Sequence, residues 1–139
     1  MPLFDCPFTL YQGIYRPTLQ IRIINPHTGL NQRTYGIVDT GADECAVPAS
    51  YASLLGHNLL AGDQKKLSTG NGEAVGYSHT TKIEIFHHST GEVVYTINDT
   101  PIDFMEKLQI ILLGVRSFLS KFILRLDYPR KVFSIKHPK

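Results

Sequence analysis

Asp39, Thr40 and Gly41 carry the most specific chemistry in the chain. They follow an apolar run, Tyr35-Gly36-Ile37-Val38, and continue into Ala42-Asp43. A carboxylate delivered by a buried strand onto a tight loop can take up and release protons. Gly41 gives the backbone freedom to turn and lets its N–H approach that carboxylate. Thr40 adds a hydroxyl able to bridge to a neighbouring loop. The arrangement reads as half of a two-carboxylate centre, because neither Asp-Thr-Gly nor Asp-Ser-Gly recurs in the chain. Two chains must then meet to complete it. The tripeptide alone arises by chance in roughly 3% of chains this long, and an aspartate capping a strand end in an Asx-turn is an equal reading at this point. The weight therefore falls on context.

Two further stretches supply that context. Ile111-Leu112-Leu113-Gly114 is an apolar run ending in glycine, which can pass closely behind a catalytic loop. Between it and Asp39 lies a glycine-rich stretch, with Gly70, Asn71, Gly72, Glu73 and Ala74 at its tip and Gly76 beyond. That composition suits a movable cover over a cleft. A bare flexible tip has the same composition, and no Lys-Ser or Lys-Thr helix start follows to make it a phosphate loop. Asp43 can shape a substrate subsite or cap a turn. His87-His88 is expected to be a pair of solvated strand histidines pointing to opposite faces rather than a metal site. Cys45 reads as a buried small hydrophobe rather than a nucleophile. No Gly-x-Ser-x-Gly elbow is present.

The elements that position these residues read as an all-β domain, with short runs rich in Ile, Val, Thr, Tyr and Phe between turn signals. Residues 18–24 alternate, with Leu19, Ile21 and Ile23 on one face and Gln20 and Arg22 on the other. Asn25-Pro26-His27-Thr28-Gly29 is a turn cluster, and residues 32–38 return as the partner strand. Residues 48–55 read as a short helix, with Pro48 in its first turn and Gly56 as its stop. Residues 67–86 form a long hairpin; 92–97 and 104–113 are further strands; 115–121 is a second short helix. Strands 122–127 and 131–135 close the chain about Tyr128-Pro129-Arg130.

At 139 residues the chain fits one domain and can bury about two-thirds of its unfolded surface. An apolar fraction of 42% and a charged fraction of 19% are those of an ordinary globule. The net charge of +2 is small, and the basic run 125–139 is broken by strand-like Leu126, Tyr128, Val132, Phe133 and Ile135. It reads as a solvated strand face, not a nucleic-acid surface. No apolar stretch approaches the roughly 20 residues of a membrane helix. No signal peptide is recognisable, and two cysteines, Cys6 and Cys45, make no disulfide framework, so a cytoplasmic location is the expectation.

Taken together, the order of parts resembles the retropepsin family, the dimeric aspartic proteases of retroviruses and their cellular and bacterial relatives. The matching pieces are Val38-Asp39-Thr40-Gly41-Ala42-Asp43, Val47-Pro48, Leu54-Leu55-Gly56, the flap-like stretch from Gly70 to Gly76, and Ile111-Leu112-Leu113-Gly114. Asp127-Tyr128 with Val132-Phe133-Ser134-Ile135 resembles the closing hairpin. The resemblance spans 18–135, most of a single domain occupying 1–139, with 1–15 as an N-terminal extension. It implies a closed, six- to seven-stranded β-barrel-like acid protease fold with one or two short helices and a flap hairpin. It also implies a homodimer that cleaves peptide or protein substrates between its subunits, without cofactor or metal.

Within that resemblance Asp39, Thr40 and Gly41 are the catalytic loop. Ala42, Asp43, Gly70, Asn71, Gly72, Glu73 and Ala74 contact the substrate, while Leu112, Leu113, Gly114 and Arg116 support the site. Many relatives place arginine directly after the second-motif glycine; here Gly114-Val115-Arg116 displaces it by one. The family's ion pair maps to Arg116 and Asp43. The displacement leaves a second reading open, a dimeric peptide-binding or scaffolding module that cleaves slowly or not at all. In the enzyme reading, two Asp39 side chains share one proton, and activity peaks at acid to mildly acid pH.

Overall fold

The computed structural model of the chain describes residues 2–69 and 72–138. Three short strands open it: β1 (Leu3–Pro7), β2 (Thr9–Tyr11) and β3 (Ile14–Arg16). Then come β4 (Thr18–Ile24), β5 (Asn31–Val38), β6 (Cys45–Pro48) and a single-turn helix, α1 (Tyr51–Leu54). An antiparallel pair follows, β7 (Asp63–Thr69) and β8 (Gly72–Phe86). The chain ends with β9 (Val93–Met105), β10 (Leu112–Leu113), β11 (Ile123–Asp127) and β12 (Val132–Lys136). The domain is all-β in class.

Alternation in β4 does what period two requires: Leu19, Ile21 and Ile23 are buried, and Gln20 and Arg22 are half-buried. Asn25 then turns the chain. Its Oδ1 accepts the His27 N–H at 2.9 Å and its Nδ2 donates to the Leu55 carbonyl at 2.7 Å. Strand β5 returns antiparallel, with Thr18 opposite Ile37 and Ile21 opposite Thr34. The pairings run β4-β5-β10-β6-β9-β8, and β8 also pairs β4, so these strands form a ring, with β7 attached through β8. Inside it, Ile21, Ile23, Ile83, Ile85, Ile102, Phe104, Leu113 and Phe118 are almost fully buried. Each such side chain stabilises the fold by about 1.5–3 kcal/mol relative to exposure.

A separate sheet, β1-β12-β11, packs on the ring. Leu3 lies opposite Ile135 and Cys6 opposite Phe133, with an irregularity between them where Asp5 takes φ 49°. Leu3, Cys6 and Phe8 belong to the main core, so the N-terminal segment is built into the domain's packing. β2 and β3 form a two-stranded hairpin turning at Gln12 and Gly13.

Several expectations are corrected. Pro48 ends β6 and does not start the helix, because its strand pairs parallel with β9, Pro48 opposite Met105. Gly56, at φ +74°, does follow the helix. Residues 115–118 are turn, and only Leu119–Lys121 winds into a 3-10 turn, too short for a second α-helix. The two strands expected over 92–97 and 104–113 are replaced by one long β9, held by β8 along its length through irregularities between Thr81 and Ile83 and between Ile85 and Phe86. Strand pairing in the 104–113 stretch then resumes only at Leu112–Leu113. Among the described residues no helix is long and apolar enough to cross a membrane.

Candidate active site

Strand β5 delivers Asp39 to its loop, and β10 runs parallel beside it, with Leu112 opposite Ile37 and Leu113 opposite Val38. The Ile37 N–H donates to the Ile111 carbonyl at 2.9 Å, and the Asp39 N–H to that of Leu113 at 3.1 Å. Beyond β10 the chain crosses behind the loop. The Val115 N–H donates to the Ala42 carbonyl at 2.9 Å, and the Arg116 N–H to that of Asp43 at 2.7 Å. Gly114 makes the crossing possible. A Cβ there would lie 2.8 Å from the Ala42 oxygen and 2.5 Å from the Glu44 carbonyl carbon, closer than real Cβ contacts allow. The expected passage of a glycine-ended apolar strand behind the loop is therefore present, with Leu113 and Gly114 buried and Leu112 half-buried.

The loop closes on itself. Asp39 Oδ1 accepts the Gly41 N–H at 2.9 Å, and the Ala42 N–H donates to the Asp39 carbonyl at 3.2 Å. The first bond is what an Asx-turn supplies; it also fixes one carboxylate oxygen. Asp39 Oδ2 has no hydrogen-bond partner among the described residues, and Asp39 is only half-buried. Thr40 is exposed, and its hydroxyl likewise makes no hydrogen bond among the described residues. Both groups line a cleft of about 380 Å³ together with Tyr15, Arg16, Leu112, Leu126 and Tyr128. The Nε of Arg16 is buried without a hydrogen-bond partner among the described residues. The sequence did not mark Tyr15, Arg16 or Tyr128 as cleft residues, although Tyr128 was placed at the closing turn; no periodicity marks residues that meet only through folding.

Other residues divide. Asp43 is exposed and bonds Arg116 through its backbone carbonyl, while the Arg116 guanidinium pairs with Glu44 at 2.9 Å, not with the Asp43 carboxylate. The one-residue displacement after Gly114 accounts for the exchange: the backbone of Arg116 takes Asp43, and its side chain meets the next acid. Gly72, Glu73 and Ala74 stand at the start of β8, opposite Thr69, Ser68 and Leu67 on β7. Gly70 and Asn71, expected at the flap tip, lie outside the described residues. Lys65 of β7 pairs at 3.2 Å with Asp103, which is buried on β9, and so ties β7 to the ring.

Cys45 is buried, and desolvation pushes its thiol up to about 12 although a backbone hydrogen bond at Gly114 works against the shift. It is a core residue, as its sequence context suggested. His87 and His88 lie beyond the end of β8, where their rings stack at 4.6 Å instead of opposing each other. His87 Nδ1 accepts the Ser89 N–H at 3.1 Å. The basic run near the C-terminus is partly neutralised: Asp127 pairs with Arg130 at 2.7 Å and lies 3.9 Å from Arg125.

No protein-family model matches the chain, and no curated protein matches it. Solved structures do. A retropepsin-like aspartic protease from Rickettsia conorii is 18% identical, with a TM-score of 0.68 over 99% of this chain and 91% of that one. The EIAV protease complexed with the inhibitor HBY-793 is also 18% identical, with a TM-score of 0.46 over 76% of this chain and 88% of that one. The first likeness shows that the chain has the retropepsin-like fold.

Proposed function

We propose that the chain is an aspartic endopeptidase whose catalytic dyad forms from Asp39 of two identical copies. One observation carries this: Asp39 lines a cleft with one carboxylate oxygen fixed by Gly41 and the other unpartnered among the described residues, on a loop backed by Gly114. Likeness to a retropepsin-like aspartic protease adds support at the level of fold. Two carboxylates about 3 Å apart repel by roughly 5 kcal/mol at an effective dielectric constant of about 20. Both cannot stay ionised, so the pair holds one proton. The charged member takes a proton from a water between them, and the protonated member donates to the scissile carbonyl as the water attacks. Thr40 joins the two loops through its hydroxyl. The substrate binds as an extended strand beside Ala42 and Asp43 and under the flap, by backbone hydrogen bonds and alternating pockets. These steps call on no cofactor.

Asp39→Asn tests the dyad. The variant is expected to keep the same mass by light scattering and to lose casein cleavage between about pH 3 and 7; cleavage that persists refutes the proposal. The exposed pairing of Arg116 with Glu44 favours a second reading, a peptide-binding module of weak activity. Wild-type protein that dimerises and binds peptide but leaves casein intact selects it.

A further inference from the structure

The cleft at Asp39 continues along the molecule. Its walls Ile37 and Ile110 also bound a second cavity of about 290 Å³. That cavity shares Thr9, Thr18 and Tyr35 with a third, of about 260 Å³, which reaches Phe86 and His88. The three follow β5 and the loop after it, along which Tyr35, Ile37 and Asp39 succeed one another at every second residue. At about 3.3 Å per residue, the row extends about 13 Å from Asp39 to Tyr35. An extended polypeptide has the same repeat, so side chains on one of its faces arrive in register with successive cavities.

The chemistry along the row is graded. Tyr11, Tyr35, Tyr51, Ile37, Ile110 and Pro48 give the middle cavity an aromatic and aliphatic lining. Four of its hydroxyls are engaged in pairs: Thr18 donates to Thr9 at 2.7 Å, and Thr34 meets the Tyr51 hydroxyl at 3.2 Å. Tyr35 is nonetheless 59% exposed. At the far end Phe86 and Gln20 line the third cavity, and Arg33 stacks on Phe86 at 4.0 Å and donates to Gln20 at 3.2 Å. Arg33 has no acidic partner among the described residues.

We propose that this row of cavities extends the substrate groove, taking a large apolar or aromatic side chain between Tyr11, Tyr35 and Tyr51 and an acidic one beside Arg33, several residues from the scissile bond. It rests on the endopeptidase reading of Asp39. The N-terminal stretch contributes Cys6, Pro7, Thr9 and Tyr11 to the walls, so what the sequence presents as an extension becomes part of recognition.

The test uses Asp39→Asn, which binds without turnover, and two fluorescein-labelled dodecapeptide mixtures, one with Phe and Glu fixed and one with Ser and Gln in their places. By anisotropy the Phe/Glu mixture is expected to bind about tenfold tighter. Adding Tyr35→Ala about halves that preference, and adding Arg33→Gln weakens binding of the Phe/Glu mixture about fivefold. Both side chains are exposed, and unchanged far-ultraviolet circular dichroism verifies the fold. In the parent enzyme Tyr35→Ala raises KM for dodecapeptides without changing kcat, and raises it less for hexapeptides too short to reach the middle cavity. Equal binding of the two mixtures, or indifference to both substitutions, overturns the groove. Cleavage that needs Asp39 but ignores Tyr35 and Arg33 overturns the groove and spares the dyad. Tyr35-dependent binding by a protein that cleaves nothing supports the groove and refutes the dyad.

Discussion

Replacing Gly114 with alanine concentrates a backbone clash at the point where the chain crosses behind the Asp39 loop. The added Cβ would meet the Ala42 oxygen at 2.8 Å and the Glu44 carbonyl carbon at 2.5 Å. Overpacking a close-packed site costs about 1–3 kcal/mol, and more where no flexible side chain can give way. Here the obstacles are backbone. Relief requires the two segments to part, which weakens the bonds from the Val115 N–H to Ala42 and from the Arg116 N–H to Asp43. Each contributes about 1 kcal/mol. The expected loss is therefore about 3–5 kcal/mol. At this chain length 1 kcal/mol moves Tm by about 3–4 °C, so the variant should melt at least about 10 °C lower. The chain has no tryptophan, so urea and thermal unfolding are followed by far-ultraviolet circular dichroism. Protein concentration is held fixed because association couples to stability. Gly91→Ala is the comparator: Gly91 has φ +73° and nothing within 4 Å of an added Cβ, so it bears backbone strain alone, about 1 kcal/mol. A Gly114→Ala protein that melts within about 2 °C of the parent, or no lower than Gly91→Ala, refutes the close crossing.

Gly36→Ala should destabilise by about 1–3 kcal/mol, because its Cβ would lie 2.8 Å from Leu113 Cγ. Leu113→Ala removes the obstacle, so a double-mutant cycle in urea should show the pair less destabilised than the sum; strict additivity rules the contact out. His57 is held below the usual histidine range by burial, with facing His79 and His27 acting in the same direction. The unfolded chain then binds more protons as pH falls through that range, so stability present at neutral pH is lost on acidification. His57→Gln should flatten the slope of urea midpoint against pH between about pH 7 and 5, and an unchanged slope excludes His57 as its source. Cys6 and Cys45 are buried, and desolvation pushes both thiols up to about 12. A disulfide reagent at about pH 8 should modify them only as the chain unfolds; prompt reaction in native buffer contradicts their burial.

Much of the candidate site was legible because its geometry is local. The alternation in residues 18–24 marks one buried face whatever lies beneath it. Asp39-Thr40-Gly41 marks a tight loop because two residues suffice for the bond from the Gly41 N–H to the Asp39 carboxylate. Gly56 marks the end of α1 because φ +74° suits glycine. Gly114 has a local mark too, because a residue without Cβ is what a close backbone approach needs, and an added Cβ there would lie 2.8 Å from the Ala42 oxygen.

Tertiary structure decided the rest, because it depends on pairings over long chain separations. Nothing in 1–15 announces that Leu3 will face Ile135 or that Cys6 will join the core. The length of β9 reflects β8 holding Thr100 and Pro101 opposite Thr81 and Thr80, which outweighs a local composition unfavourable to strand. Arg116 meets Glu44 because the crossing at Gly114 sets which acid lies within reach of its guanidinium. By itself, then, the sequence determined the carboxylate loop, the glycine behind it and the all-β class, each set by steric preferences within a few residues. Only folding decided which strands close the ring and which side chains wall the cleft, since those contacts form between segments with no local means of specifying each other.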